Sequence, residues 1–297
     1  MESPFKKGIL KGKVALLTGG GSGIGYEISL QLGSHGASIV IMGRRRKVLD
    51  AAVSSLHSLG IDAFAVSGDV RSKEDASCAV ESTFEKFGRL DILVNAAAGN
   101  FLVAAEDLTA NGFRTVMDID SVGTFTMCHE ALKYLKKGGI GKDPSESGGV
   151  IFNISATIHY TASWYQVHAS AAKAAVDSIT RSLALEWGSD FEIRVNGIAP
   201  GPIKDTTGMS KLSLDETIES LKETMPLYRM GDKWDVAMAA VYLASNAGKY
   251  LNGMTMVVDG GFWLSKTRYL PKDAVKKFSR VVEKRGRNSS GVPTSKL

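Results

Sequence analysis

The stretch TGGGSGIG at residues 18–25 constrains the fold of this chain more than any other. It overlaps the end of KVALLTG (13–19), an apolar run typical of a buried strand, and it opens residues 23–36, whose apolar positions recur at helical spacing. A glycine pattern alone is weak evidence, but between a strand and a helix it predicts a turn that binds a dinucleotide. A chain of 297 residues, 44% hydrophobic, is long enough to bury a sizeable core behind that turn.

Each glycine of the turn has its own expected role. Gly19 permits the tight turn, Gly23 lets the backbone approach a pyrophosphate, and Gly25 allows the helix to pack closely. The helix N-terminus favours the anion because its first backbone N–H groups have no partner within the helix. The predicted contacts of the turn are Gly19, Ser22, Gly23, Ile24 and Gly25. A glycine turn with a purely structural role is the alternative.

Apolar runs alternate with helical patterns along the rest of the chain. Such alternation is typical of a parallel sheet that is covered on both faces. The predicted fold class is therefore α/β: a doubly wound parallel sheet of the Rossmann type, in a single domain of about seven strands with helices on both faces. Strands are predicted at 13–19, 38–43, 62–70, 90–99, 149–155, 193–202 and 254–261, and long helices at 113–135 and up to about Trp187.

Three segments depart from this alternation. The Gly, Ser and Pro content of 137–149 predicts a surface loop. Residues 204–229 lie beside the expected site, as a substrate lid would, with a peripheral helix pair as the alternative. The predicted domain, 1–264, is followed by a basic tail at 265–297, since residues 264–297 hold ten Lys/Arg and two Asp/Glu. That tail is either a solvated extension or a segment attracted to an anionic ligand or a membrane surface.

The ends and the composition of the chain predict its compartment and partners. Ser295-Lys296-Leu297 at the C-terminus matches the address that the peroxisomal import receptor reads, so we expect a peroxisomal location. The N-terminus does not resemble a signal peptide, and no apolar run approaches the ~20 residues that span a bilayer. Only two cysteines, Cys78 and Cys128, indicate a reducing compartment. No aromatic residues interleave with the basic ones as in a nucleic-acid groove, and we expect neither nucleic-acid nor metal binding.

The residues after the second strand predict which dinucleotide binds. An acidic residue there would accept hydrogen bonds from the adenosine ribose, but this chain has Met42-Gly43-Arg44-Arg45-Arg46. A guanidinium suits a 2′-phosphate, whereas a carboxylate would repel one. NADP(H) is therefore the predicted cofactor, with Arg44 as the best candidate contact and Arg45 as the second. The alternative for Arg45 and Arg46 is that they are solvated charges at a helix start.

Five motifs together resemble the short-chain dehydrogenase/reductase family: TGGGSGIG, Asp69-Val70, NAAAG at 95–99, Lys173 and PGPI at 200–203. The resemblance covers about residues 10–264. It implies a Rossmann-type domain that is usually oligomeric, and hence a homo-oligomer, a tetramer or a dimer. It also implies that Asp69 and Val70 hold the adenine, that Asn95 and Ala96 line the cofactor trough, and that Pro200, Gly201 and Ile203 hold the nicotinamide end.

The catalytic positions of that family are mostly replaced here. Its alcohol chemistry uses Asn, Ser, Tyr and Lys, and of these only Lys173 remains. Ala169 occupies the tyrosine position, Ala156 the serine position and Asp120 the asparagine position. Asp177 stands one helical turn after Lys173, within reach of the lysine or of a water beside it. The alternative for Asp177 is a plain structural ion pair.

NAAAGNF and QVHASAAKAAVD (166–177) resemble the 2,4-dienoyl-CoA reductases of this family. That resemblance implies NADPH-dependent reduction of a 2,4-dienoyl-CoA to a 3-enoyl-CoA, in which a proton reaches C2 without a tyrosine. Asp120 would hold or relay that proton through a water, and Lys173 would grip the nicotinamide ribose. Asp177 would orient Lys173 or join the water chain.

The acyl-CoA substrate should meet basic and apolar side chains. Arg71 could contact the CoA nucleotide, Phe101 the acyl or pantetheine arm, and Lys211 is a weaker candidate. An ordinary surface or core role is the alternative for each.

Two other functions remain open at this point. One is a carbonyl or alcohol reductase of the same family in which His159, Tyr160 or Tyr165 replaces the missing acid. The other is a protein that binds NADP(H) without catalysis, which the lost Tyr and Ser would favour.

Overall fold

The computed structural model of the chain describes residues 2–206 and 224–265. Contacts within the chain divide it after Trp263, and the fold below is that of the part before this point. Lys211, most of the predicted lid and residues 266–297 of the predicted tail lie outside the described residues.

A seven-stranded parallel sheet forms the centre of the fold. In chain order its strands are β1 Val14–Thr18, β2 Ser38–Gly43, β3 Ala63–Ser67, β4 Ile92–Asn95, β5 Val150–Ile154, β6 Arg194–Pro200 and β7 Thr255–Val258. Their spatial order is β3-β2-β1-β4-β5-β6-β7. The order reverses at β1, which has β2 on one side and β4 on the other. The predicted α/β fold with a doubly wound parallel sheet is confirmed.

Helices cover both faces of the sheet. They are α1 Gly23–Ser34, α2 Arg46–Ser58, α3 Lys73–Phe87, α4 Ala110–Met117, α5 Gly123–Leu135, α6 Val167–Phe191 and α7 Lys233–Ala244. Helices α1, α2 and α7 bury their apolar stripes with one face of the strands, and α3, α5 and α6 with the other. Strand residues such as Leu16 and Leu17 alternate between the two cores and are fully buried. Because both faces of the sheet are buried, the sequences of the strands are nearly continuous apolar runs.

The segment between α4 and α5 differs from the continuous helix that the sequence predicts for 113–135. Asp118–Val122 forms a π turn between them. A π turn closes i→i+5 hydrogen bonds and is often found at functional sites. Gly123, the next residue, packs closely against Val70. A Cβ at position 123 would lie only 2.7 Å from the Val70 side chain.

Asp91, just before β4, connects three segments at the end of the sheet opposite the carboxyl ends of the strands. The carboxylate is 3% exposed and accepts hydrogen bonds from the backbone N–H of Val14, from Arg89 and from Lys142. Lys13 lies 3.6 Å away. Lys142 belongs to the predicted loop at 137–149, which contains turns but neither helix nor strand. One buried carboxylate thus fastens that loop to the starts of β1 and β4.

Within the described ranges, none of the helices combines the length and the apolar character that crossing a membrane requires.

Candidate active site

A cavity of about 470 Å³ opens at the carboxyl ends of the strands, beside the point where the strand order reverses. Ligands of open α/β sheets bind at such a switch point, and ligand sites commonly enclose ~300–1,000 Å³. The lining comes from the ends of β1, β2, β4, β5 and β6. It includes Gly19, Ser22, Gly23, Ile24, Gly25, Arg44, Arg45, Asp69, Val70, Ala96, Asn100, Ile119, Ala156, Lys173, Pro200, Gly201 and Thr206.

The glycine turn forms one wall of this cavity, and the backbone there is not covered by side chains at the glycine positions. Gly19 (φ +66°) and Gly23 (φ +59°) take the left-handed conformation that favours glycine. A Cβ at Gly25 would collide with the carbonyl oxygen of Gly19, whereas a Cβ at Gly23 would meet nothing within 4 Å. Ser22, the N-cap of α1, makes no side-chain capping bond, so the first N–H groups of the helix are available to an anion. A pyrophosphate fits this cradle.

Arginine side chains stand at the adenosine end of the cavity. Arg44 and Arg45 line it, and the Arg44 side chain is 63% exposed with Nη1 4.0 Å from Asp69 Oδ2. Arg71 donates hydrogen bonds to the same carboxylate from Nε and Nη2. The hydrogen bond from Arg71 outweighs the effect of partial burial and lowers the pKa of Asp69. Arg46 instead pairs with Asp50 along α2. The exposed guanidinium of Arg44 fits a 2′-phosphate.

We expect Arg44→Ala to raise the KM for NADPH about tenfold, because a hydrogen bond to a charged group contributes ~1.5–3 kcal/mol. The KM for NADH, which carries no 2′-phosphate, should change little. Arg46→Ala is the matched control, since it removes an equally exposed arginine that pairs with Asp50. Initial rates with both cofactors measure the effect, and equal losses for NADPH and NADH would contradict the assignment.

Asp120 and Lys173 form a buried ion pair at the bottom of the site. Asp120 is 1% exposed, and its Oδ2 lies 3.0 Å from Lys173 Nζ. The backbone N–H of Gly99 donates to Oδ1 at 2.7 Å, and Lys173 also donates to the carbonyl of Ile154 at 2.9 Å. The π turn presents Asp120, while α6 presents Lys173 from across the end of β5. A buried acid and base in contact can hold and pass one proton.

The comparisons with known proteins agree with this geometry. Residues 19–263 match the family model described as enoyl-(acyl carrier protein) reductase. A crystal structure of a short chain dehydrogenase from Bacillus anthracis is 37% identical, with a TM-score of 0.75 over 88% of this chain and all of that one. The chain belongs to the short-chain dehydrogenase/reductase family. Two curated relatives are named peroxisomal 2,4-dienoyl-CoA reductase, (3E)-enoyl-CoA-producing. The relative from Arabidopsis thaliana is 68% identical over the full length of both chains. The relative from Mus musculus is 42% identical over 88% of this chain and 87% of its own.

The short-chain dehydrogenase/reductase positions for tyrosine and serine hold no hydroxyl group. Ala156 lines the cavity, and Ala169 is buried in a small apolar cluster with Val116 and Ala172. Protein therefore fills the space beside Ala169. The charged side chains at this point of the site are those of Asp120 and Lys173.

Asp177 has a different partner from the one expected. Its Oδ2 lies 2.8 Å from His159 Nε2, whereas the contact to Lys173 is made by Asp120. Tyr160 approaches Asp177 as well, and burial together with that negative charge raises the pKa of Tyr160 to about 12. A tyrosine in this state is a poor proton donor at neutral pH, which disfavours a carbonyl reductase based on Tyr160. A role of Asp177 in the water chain remains a prediction.

The remaining predicted residues fall into two groups. Ala96, Val70, Pro200 and Gly201 line the cavity, as the family resemblance implies. The Asn95 side chain instead points inward and donates to Asn153 and Cys128, and Ile203 is part of the buried core.

Thr18 and Gly99 contribute contacts that the sequence did not indicate. Thr18 Oγ1 accepts from the backbone N–H groups of Ala96 and Ala97, and so it fixes the loop after β4. Gly99 donates to Asp120. Thr18 is the last residue of β1 and Gly99 follows the end of β4 by four residues, so the local signal of both roles is a position near the carboxyl end of a strand.

Proposed function

We propose that this protein reduces 2,4-dienoyl-CoA thioesters to 3-enoyl-CoA with NADPH, an auxiliary step in the β-oxidation of unsaturated fatty acids. The Asp120–Lys173 pair carries the proposal, because it lies in a dinucleotide-type cavity where the family's tyrosine and serine are absent. The curated relatives bear the name of this reaction.

The reaction needs no proton donor at a carbonyl oxygen. Bound NADPH supplies a hydride to C5 of the dienoyl thioester. The displaced electrons move through the conjugated bonds to the thioester oxygen and return when a proton adds at C2. One hydride and one proton are thus added, and the double bond that remains lies between C3 and C4. The protein must stabilise the anion and deliver the proton at carbon.

Asp120 and Lys173 would carry out the protein's part of this step. Lys173 places a positive charge beside the developing anion and holds the cofactor ribose. The Asp120 carboxylate would hold the water whose proton reaches C2, or relay that proton, and the hydrogen bond from Gly99 fixes the orientation of the carboxylate. The glycine turn would hold the pyrophosphate, and Arg44 and Arg45 the 2′-phosphate.

Arg71 and Phe101 are proposed contacts of the CoA substrate. Arg71 lies at the edge of the adenosine side and is 40% exposed, although it must share its guanidinium with Asp69. Phe101 is half exposed above His168, with ring centroids 4.3 Å apart. Each directly follows a residue that lines the cavity, Val70 in the case of Arg71 and Asn100 in the case of Phe101, which supports the proposal.

We also propose that the protein works in the peroxisome as a homo-oligomer. Ser295-Lys296-Leu297 would bind the import receptor, and the relatives named above are called peroxisomal. Exposed apolar side chains on and beside α5, Val122 and Phe125, suit a contact between subunits.

The test of this function is NADPH consumption with 2,4-hexadienoyl-CoA, followed by determination of the double-bond position in the product. We expect turnover and a 3-enoyl product, and no turnover with simple ketones. Oxidation of NADPH by ketones alone would indicate a carbonyl reductase, and tight NADPH binding without turnover of any dienoyl-CoA would indicate a non-catalytic protein.

A further inference from the structure

An exposed apolar surface lies beside the mouth of the cavity and is not used by the reaction at C2 and C5. It consists of Phe101, Leu102, Trp164, Tyr165 and Val167, here called the aromatic ridge. The Trp164 residue is 85% exposed and Tyr165 57% exposed. Contiguous apolar groups of this kind on a protein surface usually mark a binding site.

The ridge is held together by specific contacts between two loops. Tyr165 has φ +60°, a left-handed conformation that residues other than glycine rarely adopt. Its carbonyl accepts from the backbone N–H of Val103 at 3.1 Å, and Asn100 donates to the Gln166 side chain at 2.8 Å. These two bonds join the two loops at the strained residue and at the residue that follows it. A strained backbone held in this way at a site mouth indicates a functional constraint.

The ridge begins where the reaction centre ends. Gly99 binds Asp120, Asn100 lines the cavity, and Phe101 is the first residue of the ridge. On the other side, Val167 opens α6, the helix that carries Lys173. A chain that leaves the reaction centre on this side therefore passes directly onto Phe101 and Tyr165.

The chemistry of the ridge suits the acyl end of the substrate. Neither of its two segments, NFLV at 100–103 and SWYQV at 163–167, contains a basic residue that could meet a CoA phosphate. The basic groups of the site, Arg44 and Arg71, stand at the adenosine end instead. A hydrocarbon tail beyond C5 gains free energy with each methylene that leaves water, and flat aromatic rings offer the area.

We propose that Trp164 and Tyr165 bind the acyl chain beyond C5 and make the protein prefer dienoyl-CoA substrates with ten carbons over those with six. This inference rests on the proposed function for the identity of the thioester. The two aromatic residues set specificity and take no part in proton transfer.

The first test measures kcat/KM for 2,4-hexadienoyl-CoA and 2,4-decadienoyl-CoA in the wild type, in Trp164→Ala, in Tyr165→Ala and in the double variant. We expect the preference for the ten-carbon substrate to fall about tenfold in the double variant, since contacts with a few methylenes are lost. Tyr250→Ala is the control, because Tyr250 is 98% exposed and lines a separate cavity with residues near the opposite ends of the strands.

A second test does not depend on turnover. The affinities of hexanoyl-CoA and decanoyl-CoA, which cannot be reduced in this way, are measured by calorimetry in the same variants. We expect decanoyl-CoA to bind more tightly to the wild type and to lose that advantage in the double variant. If the advantage persists, or if the variants change only the melting temperature or the oligomeric state, the ridge contacts protein and the inference is wrong. If decanoyl-CoA behaves as expected while neither 2,4-hexadienoyl-CoA nor 2,4-decadienoyl-CoA is reduced, the proposed reaction fails and the ridge assignment stands.

Discussion

Asp120→Asn should lower kcat for dienoyl-CoA reduction by about 10²- to 10⁴-fold, the usual contribution of a positioned acid or base. Asparagine keeps an oxygen that can accept from Gly99, so the backbone around the site should hold. The variant loses the negative charge that lies 3.0 Å from Lys173, and with it the carboxylate that would hold a water. NADPH binding should be nearly unchanged, because the glycine turn and the arginines are untouched.

Single-turnover rates and a direct titration with NADPH separate these two effects. Asp190→Asn is a suitable control, since Asp190 is exposed near the end of α6. An Asp120→Asn variant that folds, binds NADPH and retains full activity would remove Asp120 from the mechanism. A parallel loss of NADPH affinity would instead mean that Asp120 acts by keeping Lys173 in position.

Asp91→Asn should destabilise the fold by about 3–5 kcal/mol, because it leaves the buried ammonium group of Lys142 without its counter-charge. The Lys142 side chain is only 1% exposed and has Asp91 as its ionic partner. Burial lowers the pKa of Lys142 despite the nearby carboxylate, which indicates how poorly this site tolerates an isolated positive charge. Denaturant unfolding at pH 7 measures the loss.

Glu81→Gln provides the matched comparison. Glu81 pairs with Lys133 on the surface, where both side chains are about half exposed. Exposed pairs contribute less than about 1 kcal/mol. If both variants lost the same stability, the buried cluster around Asp91 would have no special role.

The difference between wild type and Asp91→Asn should also depend on pH. Burial alone would raise the pKa of Asp91, but Arg89, Lys142, Val14 and Lys13 together hold this pKa below its ordinary value. A carboxyl group whose folded pKa is depressed stabilises the protein above its unfolded pKa and loses that contribution as the pH falls through the folded value. The two proteins should therefore converge in stability below about pH 4.

The sheet and the cofactor turn could be predicted because their signals are local. Buried parallel strands require apolar runs, and each glycine of TGGGSGIG matches a position with a known role in the turn. The partner of Asp177 could not be predicted in this way. Helical spacing brings Asp177 near Lys173, yet His159 reaches it from a loop 18 residues away in sequence. The link between Asp91 and Lys142 spans 51 residues and has no local pattern either. Contacts of this kind depend on how the elements pack.

The π turn at Asp118–Val122 sets the helical phase between Asp120, which lies within it, and Gly123, which follows it. Asp120 must point at Lys173, and Gly123 must face Val70, where a Cβ would be too close. Deleting one residue here would rotate the following side chains by about 100° relative to the preceding ones, so one of the two contacts would be lost. The extra residue lets a single helical segment satisfy both requirements. In relatives without the turn, this segment is one residue shorter. An alignment with such a relative therefore needs a one-residue gap at this point, because otherwise either the acid or the glycine is misplaced.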